Sequence, residues 1–229
     1  MPAPISVVIP TLDAAGALPE TLRSLMEGLE AGIIRDLVIS DGGSTDATRA
    51  IAEAAGATVV DGPPGRGGQL ARGVAAASGE WLLLLHADTH LSPGWTDAVR
   101  THIHAHPGAG GYFQLVFRAR GIAPRLVAAW ANLRSRLFGL PYGDQGIVLA
   151  RCVLEEVGGV PDFPLMEDVA LARALRGRLR MLPAVARTSA ARYLSEGWLR
   201  RGAHNLMTLL RYISGADPAR LARHYRPRE

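Results

Sequence analysis

Asp13, Asp41, Asp88 and the pair Glu167-Asp168 are the residues of this chain best placed to do chemistry. Carboxylates are hard oxygen ligands that suit Mg²⁺ or Mn²⁺, and one left open can take a proton from a hydroxyl. Three of the five follow short apolar runs. Asp13 follows Ile5–Ile9 and Pro10-Thr11, Asp41 follows Asp36–Ser40, and Asp88 follows Trp81–Leu85 and His86-Ala87. Each run is too short for an ordinary helix and reads as a strand buried on both faces. Parallel strands bring their C-terminal ends together, so Asp13, Asp41 and Asp88 are expected in one crevice, at the sheet edge where open α/β sheets bind ligands. Gathered carboxylates need a cation, and a divalent metal is the usual answer. Asp88 could instead cap the next helix, but Ser92-Pro93 is the better cap and first-turn pair.

The elements that position these residues can be read in order. A helix is expected over Ala17–Glu30, with Leu18, Leu22, Leu25 and Leu29 at helical spacing. Gly42–Asp46 forms a turn into a second helix, with Ser44 or Thr45 as its N-cap. A third strand covers Ala57–Val60, and Gly62–Gly68 is a mobile loop carrying Arg66. A helix over Gln69–Ser78 leads to the run that ends at Asp88. This β-α-β-α-β-α-β pattern implies a mostly parallel sheet with right-handed crossovers. The second half is less regular. Helices are expected over Ser92–His106, Ala123–Leu137 (apolar stripe Leu126, Trp130, Leu133, Leu137), Arg151–Val157 and Val169–Arg176. Strands are expected at Gly111–Phe117, Ile147–Ala150 and Met181–Ala186.

Composition narrows the chemistry. The chain has 229 residues, is 48% hydrophobic and 20% charged, and so has enough apolar material for one α/β domain. Its basic residues are all arginine, 25 of them. Without lysine there is no Schiff base, no P-loop lysine and no Ser–Lys dyad. The single Cys152 allows no internal disulfide, which fits a reducing cytosol. No signal peptide or membrane span is expected. The net charge of +4 hides an asymmetry: residues 1–172 carry 12 Arg against 18 acids, and residues 173–229 carry 13 Arg against 3. An acidic body suits a metal, and a basic tail suits an anionic partner.

Several common sites are absent. Gly62–Gly68 is not followed by Gly-Lys-Ser/Thr, the first strand does not turn through GxGxxG, and no Cys/His zinc spacing exists. His102, His104 and His106 alternate along a helix, point in different directions, and read as a solvated helix end.

Four segments taken together resemble family 2 of the nucleotide-sugar glycosyltransferases: Ile9–Asp13, Val38–Asp46, Ala76–Asp88 and Glu167–Arg173. Any one is weak; four in order are specific. The resemblance implies a GT-A fold, a single Rossmann-like α/β domain with a mostly parallel mixed sheet. The chain is also similar to a small bacterial subgroup linked to radical-SAM proteins and arsenosugar biosynthesis. By position, Asp41 would hydrogen-bond the uracil ring of a UDP-sugar. Pro10, Thr11, Asp13 and Ala87 would line the nucleotide pocket. Asp88 matches the last acid of the family's DxD motif, which holds Mn²⁺ or Mg²⁺ on the diphosphate. Asp168, with Glu167 beside it, matches the general base of an inverting transfer. Capping of the next helix is the competing role for that pair. Arg66 is a candidate cation for the leaving group, and Asp144 a candidate contact to the transferred sugar, with a structural turn as its alternative. One departure matters: His86 stands where DxD has its first acid, and a neutral imidazole can still ligate.

Residues 1–195 are expected to form the transferase domain, with 196–229 a basic amphipathic helical segment packed on it. The expected partners are a nucleoside-diphosphate sugar and a small-molecule or lipid-linked acceptor. The basic tail offers a peripheral contact with the inner membrane face, and no nucleic acid is expected. The placement is cytoplasmic. Two other readings stay open: a non-catalytic nucleotide-sugar-binding partner, and a sugar nucleotidyltransferase, against which Pro10-Thr-Leu-Asp13 argues because those enzymes place a Gly-rich basic loop there.

Overall fold

A computed structural model describes residues 4–225. Met1–Ala3, and Arg226 and Arg228 of the expected basic tail, lie outside the described residues. The first half alternates strand and helix: β1 (Ile5–Thr11), α1 (Leu18–Glu30), β2 (Ile34–Asp41), α2 (Thr48–Ala54), β3 (Thr58–Asp61), α3 (Arg66–Ala76) and β4 (Trp81–Leu84). The second half runs β5 (His90–Leu91), α4 (Trp95–Ala105), β6 (Gly110–Phe117), α5 (Ile122–Phe138), a 3-10 turn (Gly143–Gln145), β7 (Ile147–Ala150), α6 (Arg151–Glu156), α7 (Glu167–Ala174), β8 (Leu179–Thr188), α8 (Ala191–Glu196), α9 (Trp198–Ile213) and α10 (Pro218–Tyr225).

The strands form one sheet in the order β3-β2-β1-β4-β7-β6-β8-β5. The pairs β1–β2, β1–β4, β2–β3 and β6–β8 are parallel, and β4–β7, β6–β7 and β5–β8 are antiparallel. The expected mostly parallel mixed sheet is therefore present. Ile5, Val7, Val8 and Ile9 of β1 and Leu82 and Leu83 of β4 are fully buried, as strands covered on both faces must be. Helix α3 lies so close to β1 that a Cβ at Gly73 would sit 2.4 Å from Val8 Cγ1, so only glycine fits there.

Several local expectations are corrected. The helix expected from Ser92 starts at Trp95, with Gly94 as its N-cap in a left-handed conformation. Ser92 is tied to β8 instead, donating its N–H to Val185 O and accepting the Val185 N–H at Oγ. The open amides of α4 are satisfied by Glu27 of α1, whose carboxylate accepts from Gly94 N–H at 2.9 Å and Thr96 N–H at 3.1 Å. Neither Ser44 nor Thr45 caps α2, which begins at Thr48. Arg66 opens α3 rather than sitting in a loop. His102 is buried, with Nε2 2.9 Å from Ala109 O and its ring edge-on to Trp81, so it is part of the core and not a solvated helix end.

Helix α5 is present where expected, and its packing is unusual. Its stripe of Leu126, Trp130, Leu133 and Leu137 is exposed, and the helix buries Ala128, Ala131, Arg134 and Ser135. Asn132 explains part of this. Its side chain accepts from Leu115 N–H at 2.8 Å and donates to Leu115 O at 3.0 Å, which pins the small face of α5 to the edge of β6.

Candidate active site

The C-terminal ends of β1 and β2 are joined by one polar network. Asp41 is buried, and its carboxylate accepts from Thr11 Oγ1 (2.8 Å), Ser44 Oγ (2.6 Å), Gly43 N–H (3.0 Å) and Ser44 N–H (2.7 Å). Burial works against its charge, but the hydrogen bonds from Ser44, Thr11 and Gly43 outweigh it and hold the pKa below the usual carboxylate value. With two donors on each oxygen, Asp41 orders the turn after β2. Asp13 takes a left-handed backbone with φ 47°. Its N–H donates to Ser44 Oγ at 2.9 Å, and its carboxylate accepts from Thr45 N–H at 2.8 Å. Strain of this kind at a non-glycine residue persists only where surrounding bonds enforce it. Ala14 and Ala15 are held in turn, by Thr48 Oγ1 at 2.7 Å and Asp46 Oδ2 at 3.0 Å.

Gln69 closes this network from beneath, and no sequence signal singled it out. From α3 its Nε2 donates to Thr11 O (2.7 Å) and Ser40 O (2.9 Å), and its Oε1 accepts from Gly65 N–H (3.1 Å). It thereby clamps the last residues of β1 and β2 to the start of α3, and so also fixes Arg66.

A second group forms around the end of β4. His86, Asp88, Asp144, Asp168 and Arg66 line one cavity of about 300 Å³, with Arg134, Tyr142, Arg192 and Trp130 among its walls. The structure thus gathers Asp88 with Asp144 and Asp168. Asp13 and Asp41 do not line this cavity, so the expected trio is split between two neighbouring loop systems. The reason is topological. After β4 the sheet continues through the antiparallel β7, and the turn before β7 brings Asp144 against the end of β4.

The geometry here is tight. A Cβ on Gly143 would lie 2.4 Å from His86 Nε2, so the turn packs directly on the imidazole. Burial pushes the His86 pKa down to about 3, and the charges of Arg66 and Arg192 add to the effect, so this imidazole is neutral near pH 7. Gly143 N–H donates to Asp168 Oδ2 at 2.8 Å, and Val169 N–H to Asp168 Oδ1 at 2.7 Å. Met166, just before α7, has φ 66°, and the two acids that open the helix diverge as consecutive helical residues do. Asp168 faces the cavity. Glu167 faces inward among Leu70, Leu84, Leu85 and Leu171, with His86 and Asp168 bordering the same space; it is 1% exposed, with no partner for either oxygen among the described residues. Burial pushes its pKa up to about 8, and the neighbouring Asp168 adds to the rise. Asp144 is pushed up to about 6 by burial. Arg134 opposes this, and Asp168 and Asp88 reinforce it. Arg134 stacks its guanidinium 3.4 Å over the Tyr142 ring, donates from Nε to Leu140 O, and leaves Nη2 without a partner among the described residues.

Among the described residues, no group of three or more His, Cys, Asp or Glu stands ready as a metal cage. The donor types around the end of β4 are nonetheless ones a divalent ion takes, short of a ready-made cage. Asp88 offers a carboxylate and His86 a neutral nitrogen. Asp144 has an unpartnered Oδ1, and its pKa is raised mainly by burial, with Asp168 and Asp88 adding to the rise. Oxygens of a bound diphosphate would complete such a shell.

A Rossmann-like half joined to a mixed sheet, with acids at the end of the fourth strand, is the architecture of GT-A glycosyltransferases, and solved structures agree. S. aureus TarS in complex with UDP-GlcNAc superposes with a TM-score of 0.60 at 16% identity, over 81% of this chain and 58% of that one. M. tuberculosis glucosyl-3-phosphoglycerate synthase in complex with Mn²⁺, UDP and glucosyl-3-phosphoglycerate gives 0.55 at 22% identity, over 90% and 79%. At these identities the likeness shows the fold alone. The family follows from sequence: the model for Glycosyl transferase family 2 matches residues 6–132, more than half of the chain, and the chain belongs to that family. The match ends before Asp144, Glu167 and Asp168. Glucosyl-3-phosphoglycerate synthase of Mycolicibacterium smegmatis is 35% identical over 96 residues, 37% of this chain and 30% of that protein. A PGL/p-HBAD biosynthesis glycosyltransferase of Mycobacterium bovis is 39% identical over 99 residues, 40% and 38%. The matched stretch thus spans about a third of the length of these curated relatives.

Proposed function

We propose that this chain is a metal-dependent glycosyltransferase that moves a sugar from a UDP-sugar to an acceptor hydroxyl, with inversion at the anomeric carbon. The observation that carries the reading is the single cavity in which Asp88, His86, Asp144, Asp168 and Arg66 converge. Membership of family 2, and the UDP and Mn²⁺ held by a structural neighbour, support it. In this reading Asp88 and His86 hold Mn²⁺ or Mg²⁺. When bound, the ion neutralises charge that develops on the leaving diphosphate.

The other roles belong to side chains. Asp168, fixed by Gly143 N–H, takes the acceptor's proton while the acceptor oxygen attacks from the face opposite the leaving group. Arg66, at the first turn of α3, adds positive charge beside the diphosphate. Asp144 and Arg134 border the transferred sugar. Pro10, Thr11, Asp13 and Ala87 frame the nucleotide, and Asp41 shapes that frame by ordering Gly43 and Ser44. Glu167, buried and protonated, supports α7 rather than serving as the base. The transferase domain is assigned to residues 1–195, and the described part of the 196–229 segment packs on it. The lone cysteine favours the cytoplasm.

Calorimetric titration of UDP, GDP and dTDP, with and without Mn²⁺, tests the donor. Binding of UDP that requires Mn²⁺ supports it, and tight binding of another nucleotide changes the donor. The Asp168→Asn variant tests the base. Its turnover of UDP-sugars should fall by about 10²-fold or more while UDP binding persists. A variant as active as the native chain removes Asp168 from that role. A second reading, a non-catalytic nucleotide-sugar-binding partner, is favoured by His86 in place of an acid. It predicts UDP binding with no turnover in either protein.

A further inference from the structure

We propose that the outer faces of α5 and α9 together form a docking surface for an anionic lipid bilayer. Leu126, Trp130, Leu133 and Leu137 of α5 are spaced by three or four residues and are 47% to 66% exposed. Leu199, Leu206, Leu210 and Ile213 of α9 follow the same spacing, or its double, and are 42% to 89% exposed. Spacing of this kind puts each set on one face of its helix. The two helices touch, and Trp130 and Leu206, one from each stripe, line the same cavity, so the stripes meet there. In water this orientation is inverted: α5 turns its small residues inward and its largest apolar side chains outward. A contiguous apolar face of this kind marks an interaction site.

Charge identifies the occupant. Neither α5 nor α9 contains an aspartate or glutamate, while α5 carries Arg125, Arg134 and Arg136 and α9 carries Arg200, Arg201 and Arg211. Of these, Arg125, Arg136, Arg200 and Arg211 are exposed beside the stripes. A second copy of the chain would bring these arginines against their own kind. Anionic headgroups complement them instead, while the leucines and Trp130 enter the boundary of the acyl region. The contact is a surface one, since no helix among the described residues is long and apolar enough to cross a membrane. If the glycosyltransferase reading holds, the acceptor is an amphiphile presented by that bilayer to the cavity. The docking face does not depend on that reading.

The test is co-sedimentation of the full chain with vesicles of phosphatidylcholine alone or mixed with phosphatidylglycerol. Two double variants accompany it: Leu126→Glu with Leu137→Glu, and Leu199→Glu with Leu210→Glu. All four positions are exposed and lie outside the cavity lining, so folding and UDP binding should be unchanged. The native chain should pellet with the anionic vesicles, and each double variant should lose about tenfold or more in partitioning. Absence of pelleting with anionic vesicles overturns the proposal, as does pelleting that both double variants retain. A dimer seen by light scattering that the double variants dissociate, without vesicle binding, assigns the face to a second copy. Failure of the donor reading shows up separately in the UDP titration.

Discussion

Replacing Glu167 by Gln removes a proton-binding group from a buried, largely apolar site, bordered also by His86 and Asp168, while keeping its size. The Glu167 side chain is 1% exposed, its oxygens have no partner among the described residues, and its pKa is raised to about 8 from an ordinary 4.5. Below pH 4.5 the acid is protonated in both folded and unfolded chains and contributes no pH dependence. Between 4.5 and about 8 the unfolded chain releases the proton and the folded chain keeps it, so stability falls as pH rises. Each unit of that window is worth about 1.4 kcal/mol, so the accumulated loss near pH 8 is on the order of a few kcal/mol. Above pH 8 both states are ionised and the loss levels off. Glu167→Gln has no proton to lose. Any fixed cost of burying its amide is the same at every pH. Urea unfolding of both proteins at pH 5, 6, 7 and 8 should therefore show the difference shifting steadily in favour of the variant. A difference that stays flat across this range, or that moves toward the native chain, would refute the inward, partnerless placement of Glu167.

Gln69→Leu keeps the volume of a buried side chain and removes its hydrogen bonds to Thr11 O, Ser40 O and Gly65 N–H. Stability should fall by about 2–4 kcal/mol, read as a lower urea midpoint at an unchanged slope. A shift below about 0.5 kcal/mol would mean the clamp does not hold β1 to β2. Gly143→Ala forces a methyl group to within 2.4 Å of His86 Nε2 and presses on the turn whose amide holds Asp168. Metal-dependent UDP binding should weaken by about tenfold or more while far-UV circular dichroism stays native. Full binding in that variant would show that the imidazole moves freely.

The amino-acid sequence alone determined the parallel half of the sheet, because Ile5–Ile9, Asp36–Ser40 and Trp81–Leu85 are too short and too apolar for anything but buried strands. It also pointed to the sheet edge where the candidate site lies. Carboxylates directly after such strands stand at the ligand-binding edge, and Asp88 does line the cavity there. The four family segments pointed to Asp168 as a candidate base, and Asp168 lines the same cavity as Asp88. These are local signals, carried by a few consecutive residues.

Only the tertiary structure decided the rest, because the deciding partners are far apart in the chain. The two-residue β5 exists because Arg187 and Ala186 pair with it, so its own sequence does not announce a strand. Ser92 is drawn to Val185 and leaves the capping of α4 to Glu27. His102 is internal because it packs on Trp81 and reaches Ala109. Glu167 and Asp168 are neighbours in sequence, and as consecutive residues of a helix they point in different directions, so that Glu167 is buried while Asp168 reaches the cavity. The apolar stripe of α5 shows that periodicity locates an apolar face on a helix and does not say what that face meets. Asn132 and the small residues on the other side fix the rotation of α5, and they leave Leu126, Trp130, Leu133 and Leu137 facing out.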